Sequence, residues 1–241
     1  MIVYSGRIHT SSPVECPYLP GKQFVQKYFF ASGVNEMEMS ILLASGWRRF
    51  GNYFFRANCP SCSLCIPIRV DAAELKPSKS QRRVLRRGAG IRMKAGKPEY
   101  SEELWKVYLS HQMRQFGKKP NKDDFINNLL NGNSPDILTE YRIGEDLIGF
   151  GLLDSAHDGL SSVYFSFNSE WGRYSPGTLS VFRESVLTVS QGKRWYYLGY
   201  WVPGSLTMDY KAAFKPHQLY EWESGRWVDA EKHSFFRTIN N

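Results

Sequence analysis

Between residues 137 and 200 the chain sets out three strand-like runs, one amphipathic helix and a fourth strand-like run, and few architectures accept that series. The runs Ile137 to Ile143, Leu147 to Asp154 and Ser162 to Phe167 are rich in branched and aromatic residues and are separated by turn formers. Ser175 followed by Pro176 opens the helix, because proline's missing N–H costs nothing in a first turn, and Gly192 closes it. Leu179, Phe182, Val186 and Val189 recur at three- and four-residue offsets and predict its apolar stripe. Trp195 to Tyr200 then reads as a strand, Leu206 to Phe214 as a short helix, and Leu219 to Trp222 as a closing strand.

This order resembles the acyl-transferring half of the N-acetyltransferase-like fold. The expected class is therefore α+β: a GNAT-like domain preceded by a smaller, Cys-containing N-terminal region. Such an analogy carries no activity by itself. Charge sets the expected boundary. Lys79 to Lys97 holds eight Lys or Arg and no acid, and Ser101 to Leu104 brings the acids back, so residues 1–97 form a basic region and 98–241 the GNAT-like domain. In the first region, Glu36 to Ser45 reads as a helix stopped by Gly46. Trp47 to Phe50 and Tyr53 to Arg56 read as a hairpin, and Cys65 to Val70 as a further strand. Two helices, Glu102 to Phe116 and Lys122 to Leu130, open the second.

With 241 residues and 42% hydrophobic content, the chain can bury one large core or two smaller ones. Thirty-one Lys and Arg against 23 Asp and Glu leave a net +8, which suits an anionic partner. The sequence shows neither a secretory leader nor an apolar run of bilayer length, and the expected location is the cytoplasm. The positive charge is concentrated after Pro77, where Ser78 is a natural N-cap and Gly88 a natural stop. Lys79, Arg82, Arg83, Arg86 and Arg87 fall on one side of the intervening helix, with no carboxylate among them. Such a face repels itself unless an anion covers it, and a phosphate backbone does so with release of counterions. RNA is the favoured partner over a plain solvated face.

Cys59, Cys62 and Cys65 stand at two-residue gaps in CPSCSLCIP, with Cys16 upstream. Three thiolates at that spacing can turn around one ion and Cys16 can supply a fourth, so the set is a candidate for Zn2+ or an iron-sulfur cluster. Buried unliganded thiols and a redox pair are the alternatives. The histidines at 9, 111, 157, 217 and 233 share no catalytic spacing. Gly149 and Gly151 lie on one face of a strand, where they serve either close substrate approach or tight packing. Asp154, Ser161 and Tyr164 surround the next turn. The aromatic run YYLGYW, Tyr196 to Trp201, is followed by MDYK, Met208 to Lys211.

Taken together, CPYLPG at Cys16, GWRRFGNYFFR at Gly46, CPSCSLCIPIRV at Cys59, KPSKSQRRVLRR at Lys76, DGLSSVYF at Asp158, YYLGYWV at Tyr196 and MDYKAAFKP at Met208 resemble the arginyl-tRNA-protein transferase family, in its bacterial aspartate/glutamate leucyltransferase branch. The resemblance implies transfer of an amino acid, leucine in that branch, from its tRNA to proteins beginning with Asp or Glu, which marks them for degradation by the N-end rule pathway. Leu-tRNA and such proteins are the implied partners, with no membrane or DNA. The aminoacyl ester is already activated, so the chemistry needs no obligatory cofactor. It needs alignment of an amine, a proton acceptor and oxyanion stabilisation. Asp154, Tyr164 and Tyr200 are the candidate proton acceptors. Lys211, and after it Arg69, would bind the acceptor's acidic side chain. Arg82, Arg83, Arg86 and Arg87, with Arg48 and Arg49, would hold tRNA. Two rivals stand beside this reading. An acyl-CoA-dependent N-acetyltransferase would carry a Gly-rich pyrophosphate turn, but Arg173 to Leu179 has a single glycine. A non-catalytic, zinc-containing RNA-binding module would account for the cysteines and arginines alone.

Overall fold

Strand-forming residues from both halves of the chain meet in one large sheet. The computed structural model describes residues 2–3, 7–130, 136–233 and 235. Its strands are β1 (Ile2–Val3), β2 (His9–Thr10), β3 (Val14–Glu15), β4 (Gln23–Phe24), β5 (Gln26–Ser32), β6 (Arg48–Phe50), β7 (Tyr53–Ala57), β8 (Ile66–Asp71), β9 (Arg92–Gly96), β10 (Ile137–Ile143), β11 (Asp146–Ala156), β12 (Gly159–Phe167), β13 (Trp195–Trp201), β14 (His217–Glu221) and β15 (Arg226–Asp229). The α-helices are α1 (Glu36–Ala44), α2 (Lys79–Arg87), α3 (Glu102–Phe116), α4 (Lys122–Asp124) and α5 (Pro176–Ser190).

The molecule is thus mixed α+β. Eight strands run in the order β15-β14-β8-β13-β12-β11-β10-β9, and a smaller sheet runs β1-β5-β7-β6 with β2 also on β5. Strands β8 and β9 precede residue 97 yet are hydrogen-bonded into the large sheet, β8 between β13 and β14. Residue 97 therefore marks a change of charge and not an edge of the sheet. Ile66, Ile68 and Val70 alternate along β8 and are almost wholly buried, so one face of this central strand lies in the core.

Helix α3 covers one face of the large sheet, packing Leu104 and Val107 against Leu138, Phe150 and Leu152, while Leu179 of α5 packs with Tyr141 and Ile148. Leu138 and Tyr141 are an odd number of residues apart on β10, so those two clusters lie on opposite faces. On α5 the expected stripe is corrected. Leu179 and Phe182 are buried, but Val186 and Val189 are exposed, and the inner face continues through Glu184, Ser185 and Thr188. The reason is Glu184, which reaches the sheet and accepts hydrogen bonds from Thr139 Oγ1 (2.9 Å), Tyr141 OH (2.8 Å) and Tyr196 OH. The second expected helix of the latter half is also corrected: α4 ends at Asp124 and a π-helical stretch, Phe125–Leu130, follows.

Glu184 also decides the role of Gly151. A Cβ there would lie 2.5 Å from both Glu184 Oε1 and Thr139 Oγ1, and one at Gly149 would lie 2.9 Å from the Ser166 carbonyl, so both glycines serve packing. Gly151→Ala is expected to destabilise the fold by about 2–3 kcal/mol, since overpacking here also displaces a buried carboxyl from its donors. Thermal unfolding would show a midpoint lower by about 4–12 °C.

Candidate functional site

The site lies where two parallel strands part. Strands β12 and β13 pair only at Gly159↔Trp195, Leu160↔Tyr196 and Ser161↔Tyr197, after which β12 runs on to Phe167 and β13 to Trp201 without further pairing. On its other side β13 carries a bulge against β8 between Tyr197 and Gly199. Gly199 has φ +91°, a conformation that L side chains rarely adopt. In open sheets with parallel strands, ligands bind in the crevice beyond the carboxyl ends of strands that separate.

Two cations reach this bulge. Arg48 of β6 bonds through Nη1 to Ser161 Oγ (2.9 Å) and through Nη2 to the Ser162 carbonyl, so the parted end of β12 holds its guanidinium. Lys211 comes from the 3-10 turn Asp209–Ala213. A side chain at residue 199 would meet Lys211 Nζ at 3.3 Å and Arg48 Nη2 at 3.6 Å, so the glycine leaves both cations room. Burial first, and then the Arg48 charge, lowers the Lys211 ammonium to about 7. Among the described residues no carboxylate forms an ion pair with either. Asp209, two residues before Lys211, is occupied by Trp201 Nε1 (2.8 Å) and the Gly204 N–H (3.3 Å). Two adjoining cations of this kind fit a carboxylate or a developing oxyanion.

The other expected site residues are placed differently. Asp154 is 1% exposed and accepts two bonds from Arg49, at 2.8 Å and 3.2 Å, so neither residue faces a substrate or an RNA. Arg48 is buried in the parting of the strands and not on an RNA-facing surface. Tyr164 faces α3, where its hydroxyl accepts from Gln112 Nε2 (2.7 Å) and burial raises its pKa. Tyr200 follows Gly199 directly, but its buried hydroxyl accepts from the Ala57 N–H (3.3 Å) and burial raises its pKa. Arg69 is packed between the rings of Trp195 (3.7 Å) and Trp227 (4.5 Å). It donates to Gln218 Oε1 and Tyr197 OH, which ties β8 to its two neighbours instead of opening to a ligand. Of the expected set, Lys211 and Arg48 come together at the parting.

The thiols gather without forming the expected metal centre. Cys65 is buried, Cys16 and Cys59 pack on the same cluster, and burial followed by the neighbouring Cys59, Cys16 and Cys62 pushes the Cys65 thiol up to about 12. Cys59 Sγ accepts from the Val25 N–H at 3.4 Å. Among the described residues no three His, Cys, Asp or Glu side chains are arranged to hold an ion. Cys16, Cys59 and Cys62 are only partly buried.

Helix α2 presents its cations as its sequence predicts. Ser78 and Gln81 form a capping box, Gly88 ends the helix, and Arg82, Arg83, Arg86 and Arg87 are all exposed. Arg82 donates to the Pro77 carbonyl (2.8 Å). None of the four forms an ion pair among the described residues. No described helix is long and apolar enough to cross a membrane.

Comparison with known proteins agrees with this layout. Residues 14–83 match the family described as arginine-tRNA-protein transferase, N terminus, and residues 100–221 match its C terminus. The chain is 31% identical over 224 residues to the aspartate/glutamate leucyltransferase of Chromobacterium violaceum, covering 91% of this chain and 92% of that one. It is 29% identical over 213 residues to the protein of the same name from Helicobacter hepaticus, covering 85% and 88%. Among solved structures, L-PGS from Bacillus licheniformis superposes with a TM-score of 0.46 at 14% identity, covering 72% of this chain and 52% of that one.

Proposed function

This chain belongs to the arginine-tRNA-protein transferase family, and from that premise we propose that it transfers leucine from Leu-tRNA to the N-terminal amine of proteins beginning with Asp or Glu. The product is a substrate of N-end rule degradation, and the reaction belongs in the cytoplasm. The observation that carries the specificity is the pair Arg48 and Lys211 at Gly199, two cations facing one point in the parting of β12 and β13.

An acidic first residue brings its side-chain carboxylate to these cations and so fixes its α-amine beside the ester. The amine nitrogen attacks the ester carbonyl, the C–N bond forms as the tRNA ribose oxygen leaves, and the ribose hydroxyl takes up a proton. A free α-amine titrates at about 7.7–8.0, so a substantial minority is neutral at pH 7, and water suffices to carry its proton away. With Asp154 and Tyr164 bonded elsewhere, no side-chain base is assigned. The order of strands with α5 before β13, and the parting of β12 from β13, support a GNAT-like fold for the transferring part. The exposed cations of α2 hold the tRNA backbone, while Arg48, also from the basic region up to residue 97, joins Lys211 at the transferring site.

The test is incubation of the purified protein with radiolabelled Leu-tRNA, Arg-tRNA or acetyl-CoA and peptides beginning with Asp, Glu, Arg or Lys. Label is expected only from Leu-tRNA and only on Asp and Glu peptides. Product from acetyl-CoA alone would support an acyl-CoA enzyme, and no product at all an RNA-binding module. In the same preparation R83E/R86E is expected to weaken tRNA binding and to lower the slope of log affinity against log salt by about 1.5–2, as two lost phosphate contacts require.

A further inference from the structure

A cavity of about 240 Å3 adjoins the Lys211 turn on the side of the basic helix. Ser80, Gln81 and Val84 of α2 form one wall, Thr178 in the first turn of α5 another, and Tyr210 and Phe214 a third. The walls are tied together, since Gln81 Nε2 donates to the Ala213 carbonyl (3.2 Å) while its side-chain oxygen receives the Ser78 N–H (2.8 Å). Phe214 is buried, and Tyr210, 46% exposed, stands edge-on to it with ring centroids 6.1 Å apart.

The helix that lines this cavity also carries the cations. Ser80, Arg83, Val84 and Arg87 follow the spacing i, i+3, i+4, i+7, which is one face of α2, so Arg83 and Arg87 stand beside the cavity-lining residues. A phosphodiester held by those arginines brings its nucleoside over the cavity, where an apolar floor and an accessible tyrosine ring suit a base and the hydroxyls of Ser80 and Thr178 suit its polar edge. Tyr210 is the chain neighbour of Lys211, whose Nζ stands at Gly199 beside the parting of β12 and β13.

We propose that this cavity binds the terminal adenosine of the aminoacyl-tRNA. The inference rests on the tRNA-dependent reading above and adds where the acylated nucleotide sits.

The test compares binding of deacylated tRNA with a complete CCA end to the same tRNA lacking its terminal A, at one salt concentration. Stacking of one base predicts that the wild type binds the complete tRNA about tenfold more tightly. Thr178→Trp, which fills the cavity, and Tyr210→Ala, which opens it, are each expected to bring the two RNAs to equal affinity. Both should leave the affinity for the shortened tRNA, and its salt slope, within about twofold of wild type, because they spare the arginines of α2. Thermal unfolding of each variant controls for folding, and Tyr210→Ala, at a half-exposed position, carries the test if the tryptophan is not accommodated. Equal wild-type affinities, or a tenfold difference that persists in the folded variants, would overturn the assignment while leaving tRNA binding intact. Binding of coenzyme A that Thr178→Trp abolishes, with no discrimination between the RNAs, would also overturn it. Failure of the wild type to bind either RNA would instead refute the tRNA-dependent reading on which it stands.

Discussion

Replacing Lys211 by methionine is expected to lower kcat/KM for peptides beginning with Asp or Glu by about 100- to 1,000-fold while leaving the fold intact. Truncating one partner of a buried, hydrogen-bonded charge pair costs about 2–5 kcal/mol, and here the partner left behind is the acceptor's own carboxylate. Burial holds the Lys211 ammonium at about 7, so its contribution to stability has the opposite sign. Between about pH 7 and 10.4 the unfolded chain keeps a proton on this lysine that the folded chain has released, so stability rises with pH across that window. Methionine removes that dependence, and at pH 7 the variant should unfold no lower than the parent. Loss of activity without loss of stability separates a binding role from a structural one.

The pH profile gives the second readout. Productive encounter needs a charged Lys211, favoured below about 7, and a neutral α-amine, favoured above about 7.7–8.0. The profile of kcat/KM is therefore a bell with its maximum near pH 7.5, where roughly a tenth of the encounters carry both forms. In Lys211→Arg the guanidinium stays charged throughout, so the alkaline limb should disappear and the rate should rise to a plateau above about pH 8. An alkaline limb that survives in the arginine variant would assign it to another group.

How far such a site could be read from sequence depends on whether its determinants are local. Helix α2 was legible because Ser78 and Gly88 supply cap and stop within eleven residues, and four arginines with no acid beside them left the helix no other exposed face. The run 137–200 was legible for the same reason. Lys211 could be found through its motif, but its partner could not. Arg48 and Arg49 sit in a strand of three residues amid aromatics, and nothing nearby in sequence announces that Ser161 and Asp154, more than a hundred residues on, receive them. The insertion of β8 between β13 and β14 is equally invisible to periodicity, since pairing partners are chosen by long-range packing. Strands of two residues, as in β1 to β4, are too short to show any period. The cysteine spacing was the opposite case. A specific local pattern promised an ion, but in the fold Cys65, Cys16 and Cys59 join an apolar cluster, and among the described residues no three ligand side chains are arranged to hold one.

The second large effect is expected at Asp154, and it tests the correction the structure makes to the acid-base reading. Adjacent residues of a strand point to opposite sides, so Arg48, paired with Phe55, and Arg49, paired with Phe54, leave β6 in different directions. Arg49 takes the Asp154 carboxylate with both Nε and Nη2, in a site where each side chain is at most 2% exposed. Asp136, itself partly exposed, stands 3.5 Å from the same guanidinium and cannot replace the bidentate partner. Asp154→Ala therefore strands a buried guanidinium, a change that costs about 3–5 kcal/mol. For a chain of this length the unfolding midpoint should fall by about 6–20 °C. Replacing both partners together, as R49M/D154L, should recover most of that loss, because two apolar side chains need no counter-charge. Assayed well below its midpoint, Asp154→Ala should retain transfer within a few-fold of wild type. The contrary pattern, an unchanged midpoint with transfer reduced by two orders of magnitude or more, is what a proton acceptor would give. In the expected pattern the pair acts on chemistry only through position: by pinning β6 to β11 it holds Arg48 at the parted end of β12, opposite Lys211.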